Sequence, residues 1–373
     1  MRKILDLKKK TDRVLYSLWL GGYVERKTIE CIIGNNQYVF SLIGRMMEKK
    51  YIKSIKYQGK AYYKIQSSTG QNELNKRLDL SMETCPLKGI RNIMRDKKLI
   101  KRIGKRSRAL LVCNYLGIET YNLEDSNLET INKHFGEGTF YMDSNNIKQY
   151  LGDETKGARA VGYIFAPEEL YKIYCEDSSF IVYEGVEERL SYRLKSQTEI
   201  PNSIKENEIV LTSKPEDMAK IFLNKTFASE NQVAYSLEGR NKYIMNLKDI
   251  ELQADLLLNK SINSLNEGLS KIMYRAEGIS HKKFNNHKGE KICNLIVPNI
   301  GLIKDILYVC KVQANEIKEK KIINSNIDDF VSFEVAIYEA HKKIFQKIFR
   351  DMPVRLTTFN DEQIKHLIEK GEE

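Results

Sequence analysis

Cleavage of a phosphodiester by a metal-dependent nuclease needs an acid at one strand end, then an acid and a lysine alternating on the next strand. The acids hold Mg²⁺ and the lysine orients a water or offsets charge. Early in the α/β-patterned part of this chain a Glu-x-Lys stands at Glu154-Thr155-Lys156, with Asp143 upstream. It sits in a polar, glycine-flanked stretch, not in an apolar strand. Glu184, Glu187 and Glu188 follow an apolar run at 180–183, but the next lysine, Lys195, lies too far along for the alternation. An intact cleavage site is therefore not expected. The histidines (His134, His281, His287, His341 and His366) form no H-x-H or H-E-x-x-H arrangement, so no metal site is expected. His281 and His287 share a Lys/Asn/Gly-rich stretch that reads as a solvated loop. There is no Walker A motif and no Rossmann glycine fingerprint, and residues 152–157 resemble a phosphate loop only loosely, so no cofactor is expected. Tyr141, Tyr150, Tyr163, Tyr171, Tyr174 and Tyr183 cluster in one region. A tyrosine nucleophile can nick a strand, yet tyrosine is also a good strand former, and that is the reading preferred here.

A second chemistry is base recognition. Asn35, Asn36, Gln37, Tyr38, Ser41 and Arg45 fall on the outward face of an expected helix, the first four at its N-terminal end. Asparagine and glutamine pair with adenine, and arginine pairs with guanine or a phosphate. Lys49, Lys50, Lys53, Lys56, Lys60 and Lys64 follow at and along an expected hairpin, with Lys53, Lys56 and Lys60 the expected phosphate contacts. The elements that must position these groups read as a small winged helix-turn-helix. Residues 11–20 carry Val14, Leu15, Leu18 and Trp19 at helical spacing. Residues 26–33 form a second helix ended by Gly34, and residues 35–49 a third, with Val39, Ile43, Met46 and Met47 expected inward. Residues 51–57 and 61–65 are strand-like around a Gln58-Gly59-Lys60 turn. The N-terminal end of such a third helix is the part that reaches base edges in the major groove. The same domain can instead serve protein contacts only.

Charge fits an anionic partner. The chain has 373 residues, a net charge of +11 and a sequence pI near 9.1. Residues 1–10 hold five basic side chains against one acid, and residues 88–108 hold ten against Asp96 alone. The six cysteines (Cys31, Cys85, Cys113, Cys175, Cys293 and Cys310) form no C-x-x-C pair and read as buried thiols in a reducing cytosol. No apolar stretch reaches membrane-spanning length and the N-terminus is charged, so a cytoplasmic protein with no membrane partner is expected.

Four segments follow. Residues 1–68 are the winged helix-turn-helix, 69–137 a basic helical linker, 138–325 a nuclease-like α/β domain and 326–373 a C-terminal helical extension. Residues 67–75, polar and glycine-containing, read as a connector. Strand and helix patterns that alternate after residue 138 give an α/β region with a mixed sheet, and the chain as a whole an α+β or α/β class. Residues 328–350 read as one amphipathic helix, with Phe330, Phe333, Ile337, His341, Ile344 and Ile348 near one stripe.

This layout resembles the replication-relaxation proteins of plasmids and conjugative elements in low-GC bacteria. The matching stretches are 38–63, the basic joint at 104–119 and 140–189. Within the last, Tyr141-Met-Asp-Ser-Asn-Asn-Ile-Lys148, Ala158-Arg-Ala-Val-Gly162 and the run from Tyr174 to Glu188-Arg189 carry the similarity. The resemblance implies double-stranded DNA binding in plasmid replication, conjugative transfer or its regulation, with a second domain similar to a degenerate nuclease fold. Two other readings follow from the residues. One is a Mg-dependent nuclease or nickase of restriction-endonuclease-like fold. The other is a scaffold that binds replication or conjugation proteins. Oligomeric state is left open.

Overall fold

A computed structural model describes residues 3–34, 36–85, 97–120, 128–151, 157–177, 181–214, 216–217, 221, 233–234, 241–258, 283–285, 291–296, 332–348, 350 and 354–371. The chain is mixed α and β and separates into two compact units. The first comprises residues 1–176, 180–213 and 227–234, and the second 177–179, 214–226 and 235–373.

The first unit begins with α1 (Lys10–Gly21), β1 (Val24–Glu25), α2 (Arg26–Ile33), α3 (Asn36–Glu48), β2 (Ile52–Tyr57) and β3 (Lys60–Ile65). Helix α1 forms because Val14, Leu15, Leu18 and Trp19 make one apolar stripe, and all four are buried. Gly34 ends α2 at φ 74°, where a side chain would be strained although nothing crowds the site. The hairpin turns on Gln58 and Gly59, both at positive φ (49° and 72°), the signature of a two-residue type I′ turn. Strand β3 pairs with both β2 and β1, in the order β1-β3-β2.

Helix α4 (Ser67–Leu78) replaces the expected connector. Its apolar side chains Leu74 and Leu78 are buried, and Arg77 bonds Asp12 of α1. Gly70 marks the contact: a Cβ there would stand 2.1 Å from the carbonyl oxygen of Tyr51. The polar, glycine-bearing composition that suggests a linker is thus that of a helix lying close on the backbone of a neighbour.

Helix α5 (Lys97–Tyr115) is likewise not a linker. Ile100, Ile103, Leu110, Leu111 and Cys113 are buried along it, and Ser107 donates to the Gly21 carbonyl of α1. On its other side it meets a mixed sheet built from β4 (Glu119–Thr120), β5 (Phe140–Asp143), β6 (Gly162–Phe165), β7 (Glu169–Cys175) and β9 (Lys205–Thr212). Between these strands come α6 (Leu128–His134), α7 (Ser144–Leu151), β8 (Ile181–Val182) and α8 (Glu184–Ser196). Strands β5, β6 and β7 form an antiparallel meander, β4 lies parallel to β5, and β9 lies parallel to β7 after the α8 crossover. Tyr141 and Asp143 face α5. By strand alternation Tyr163, Lys172, Glu206 and Glu208 face the other side, where Ser191 of α8 donates to Glu206 at 3.0 Å. A short ladder pairs β8 with β10 (Val233–Ala234).

The second unit contains β11 (Asn241–Asn246), α9 (Ile250–Leu258), β12 (Lys283–Asn285), β13 (Lys291–Ile296), β14 (Ser332–Tyr338), α10 (Lys342–Ile348), β15 (Val354–Phe359) and α11 (Asp361–Gly371). Strands β13, β14 and β15 are parallel neighbours, with β12 antiparallel at the edge. The expectation of one helix over 328–350 and of a purely helical extension after 326 is corrected here. Phe333, Val335 and Ile337 alternate with Glu334 and Ala336, a period-two pattern rich in β-branched residues, and it prevails over the helical stripe that shares Phe333 and Ile337. His341 is buried against Asn246 (3.0 Å) and Gln253 (3.2 Å), where it has a place in the core. No helix among the described residues is long and apolar enough to cross a membrane.

Candidate nucleic-acid interface

Helix α3 turns Val39, Leu42, Ile43 and Met46 into the core. At about 100° per residue this fixes the outward face. Gln37, Ser41, Arg45 and Glu48 run along its middle, and all are exposed. Tyr38, 44% exposed, stands on one flank with the Lys10 ammonium over its ring at 4.8 Å. Phe40 and Met47, 59% and 37% exposed, stand on the other flank, with the Arg26 guanidinium 4.7 Å above the Phe40 ring. Met47 was expected inward and is not. Leu42, which completes the buried stripe with Val39, Ile43 and Met46, takes that role. Adding Leu42 to the sequence pattern would have moved Met47 off the inward face. Asn36 opens α3, and Asn35 lies outside the described residues.

The lysines divide into two groups. Lys49, Lys50 and Lys56 are exposed and Lys53 is half-buried. Lys60, expected on a phosphate, instead reaches Glu25 at 3.2 Å. Lys64 donates to the Tyr23 hydroxyl at 2.9 Å. Two of the six lysines are thus held by partners within the fold.

The basic stretch of α5 is spoken for in the same way. Arg108, only 2% exposed, donates to Glu25 at 2.8 Å and to the Leu211 carbonyl at 3.4 Å. Arg106 clasps both oxygens of Asp143, and Lys105 pairs with Glu176. Acids of the fold thus receive these α5 cations, and within the described part of α5 Lys101 and Arg102 remain exposed. Burial lowers the pKa of Lys105, which Glu176 offsets only in part.

No family model, curated protein or solved structure matches this chain.

The groups considered for nuclease chemistry are placed as follows. Asp143 is occupied by Arg106 and by the Asn145 amide at 2.8 Å. Glu154, Thr155 and Lys156 lie outside the described residues, as do His281 and His287. Lys172, inside β7, is fully buried and paired with Glu206 at 3.1 Å, and two residues before it stands Leu170 rather than an acid. Among the described residues no group of three or more His, Cys, Asp or Glu is placed to hold a metal ion. The clustered tyrosines Tyr141, Tyr163, Tyr171 and Tyr174 are buried in the sheet, and burial raises the pKa of Tyr141 and Tyr163 far above the usual phenol range.

What the sequence did not reveal is a clamp over residues 158–160. Lys148 of α7 donates to the carbonyls of Ala158 (2.9 Å) and Ala160 (3.4 Å), while Glu187 of α8 accepts from the amides of Arg159 and Ala160. Burial lowers the Lys148 pKa to about 8, against the opposing pull of Glu187. The unfolded chain therefore binds more protons than the folded one between pH 8 and an ordinary lysine pKa, and stability rises with pH through that window. Relative to Lys148→Met, the wild type is expected to gain up to about 3 kcal/mol between pH 8 and pH 10.5. Urea melts of both proteins at several pH values check this; a constant difference would contradict it.

Proposed function

We propose that residues 10–65 form a winged helix-turn-helix that binds double-stranded DNA with sequence preference, and that α3 is its recognition helix. The observation that carries this reading is the outward face of α3, a polar line of Gln37, Ser41 and Arg45, with Lys49 and Lys50 exposed just past the helix end and Lys56 exposed on β2. The element order of three helices followed by a hairpin supports it. The tight two-residue turn at Gln58 and Gly59 is in keeping with that hairpin serving as the wing. On this reading the protein works in the cytoplasm as a DNA-binding component of a mobile element, in plasmid replication, conjugative transfer or its regulation, in line with the replication-relaxation resemblance. The α5 helix and the sheet serve as its support.

A second reading, a scaffold for replication or conjugation proteins, is favoured by the exposed Phe40 and Met47 beside the polar line.

Selection of bound sequences from a random duplex library by the full chain tests the first reading. A defined motif is expected, bound about a thousandfold or more tighter than a scrambled duplex. Recovery of no motif would remove the proposal and leave the scaffold.

A further inference from the structure

Gly44 lies in the middle of α3, within ordinary helix, and apart from its chain neighbours and the helix's own backbone no atom of the described residues lies within 4 Å of where its Cβ would be. Some other glycines of the same unit have an internal reason to be glycine. At Gly104 a Cβ would meet the Tyr62 ring at 2.5 Å, and at Gly162 the Tyr141 ring at 2.3 Å. Nothing in the fold asks for glycine at 44, and mid-helix glycine weakens a helix relative to alanine. The space it leaves open faces outward. Phe40 stands one turn before it and Met47 one turn after it, both exposed, so bare backbone lies between two apolar side chains.

We propose that this notch seats the 5-methyl group of thymine, so that α3 reads A·T pairs by an apolar contact beside its polar line. The inference rests on the DNA-binding reading above and specifies the bases it prefers. The major groove offers an apolar group of this size in one place, the thymine methyl, and glutamine at the helix start suits the adenine of such a pair. The Arg26 guanidinium stands over the Phe40 ring at the edge of the notch, and Arg45, Lys49 and Lys50 are exposed at the C-terminal end of the helix against Glu48. That charge suits a polyanion better than an apolar protein face.

The test uses the full chain and the duplexes it selects from a random library, each made once with thymine and once with deoxyuridine, which lacks only the methyl. Wild type is expected to bind the uracil form about fourfold more weakly for each methyl seated, the value of burying one carbon. Gly44→Ala is expected to melt no lower than wild type, to bind the thymine duplex several-fold more weakly and to lose the distinction between the two forms. Phe40→Ala, which keeps the bare backbone, is expected to lose the distinction as well. Equal wild-type affinity for both forms would overturn the methyl seat while leaving DNA binding intact. So would a Gly44→Ala protein that still discriminates, or one whose only change is loss of self-association in sedimentation, the mark of a second copy on this face. Selection of no duplex at all would overturn both this inference and the reading beneath it.

Discussion

Replacing Glu25 with alanine is expected to destabilise the first unit by about 3–5 kcal/mol, because it leaves the Arg108 guanidinium buried without its carboxylate. Glu25 and Arg108 are 5% and 2% exposed, so water cannot replace the lost partner. Lys60, which shares the same carboxylate, loses its anchor at the hairpin in the same step. The melting temperature should fall by roughly 10 °C or more. Trp19, the one tryptophan of the chain, is buried in α1, so its fluorescence during urea unfolding reports this unit. Replacing both partners with leucine is expected to recover much of the loss, since an apolar pair of similar volume avoids the stranded charge. A single-variant loss below about 1 kcal/mol, or a double variant no better than the single, would show that the pair does not hold α5 to β1.

The second large effect concerns binding. Arg45→Ala and Gln37→Ala are each expected to cost about 1–3 kcal/mol on a selected duplex and to relax preference at one position. Lys56→Gln is expected to weaken selected and scrambled duplexes alike and to reduce the salt slope by about one unit. Lys60→Gln should behave differently from Lys56→Gln. Its ammonium belongs to Glu25, so its replacement should lower stability more than affinity. Fluorescence anisotropy across a salt series separates the classes. Identical profiles for Arg45→Ala and Lys56→Gln would mean that α3 does not face the bases.

The parts legible in the sequence were those with local signatures. The stripe of Val14, Leu15, Leu18 and Trp19 specifies α1, and the Gln58-Gly59 pair specifies the hairpin. The mixed sheet after residue 138 could be anticipated from alternating patterns, although its partner order could not. What escaped depended on contacts distant in sequence. Arg106 finds Asp143 across 37 residues, Lys105 finds Glu176 across 71 and Arg108 finds Glu25 across 83, and no window of sequence shows these pairings. A basic run that suits an anionic partner in the sequence is therefore in part paired within the fold. Gly70 read as a linker residue because its neighbour, the Tyr51 carbonyl, is a tertiary partner. On α3 the middle of the outward face is legible from the sequence, but Met47 is not, because Leu42 completes the buried stripe with Val39, Ile43 and Met46 and leaves Met47 on the flank.

Photocrosslinking tests the central claim, that α3 lies in the major groove of duplex DNA, most directly. A selected duplex with 5-iododeoxyuridine in place of thymine presents a reactive group where the methyl stands, and it couples to aromatic and sulfur side chains within contact distance. After irradiation with the full chain and proteolysis, the crosslinked peptides are expected to span residues 36–48, with Tyr38, Phe40 or Met47 as the attached residue. Crosslinks confined to α5 or to the second unit, or equally abundant on a scrambled duplex, would contradict it.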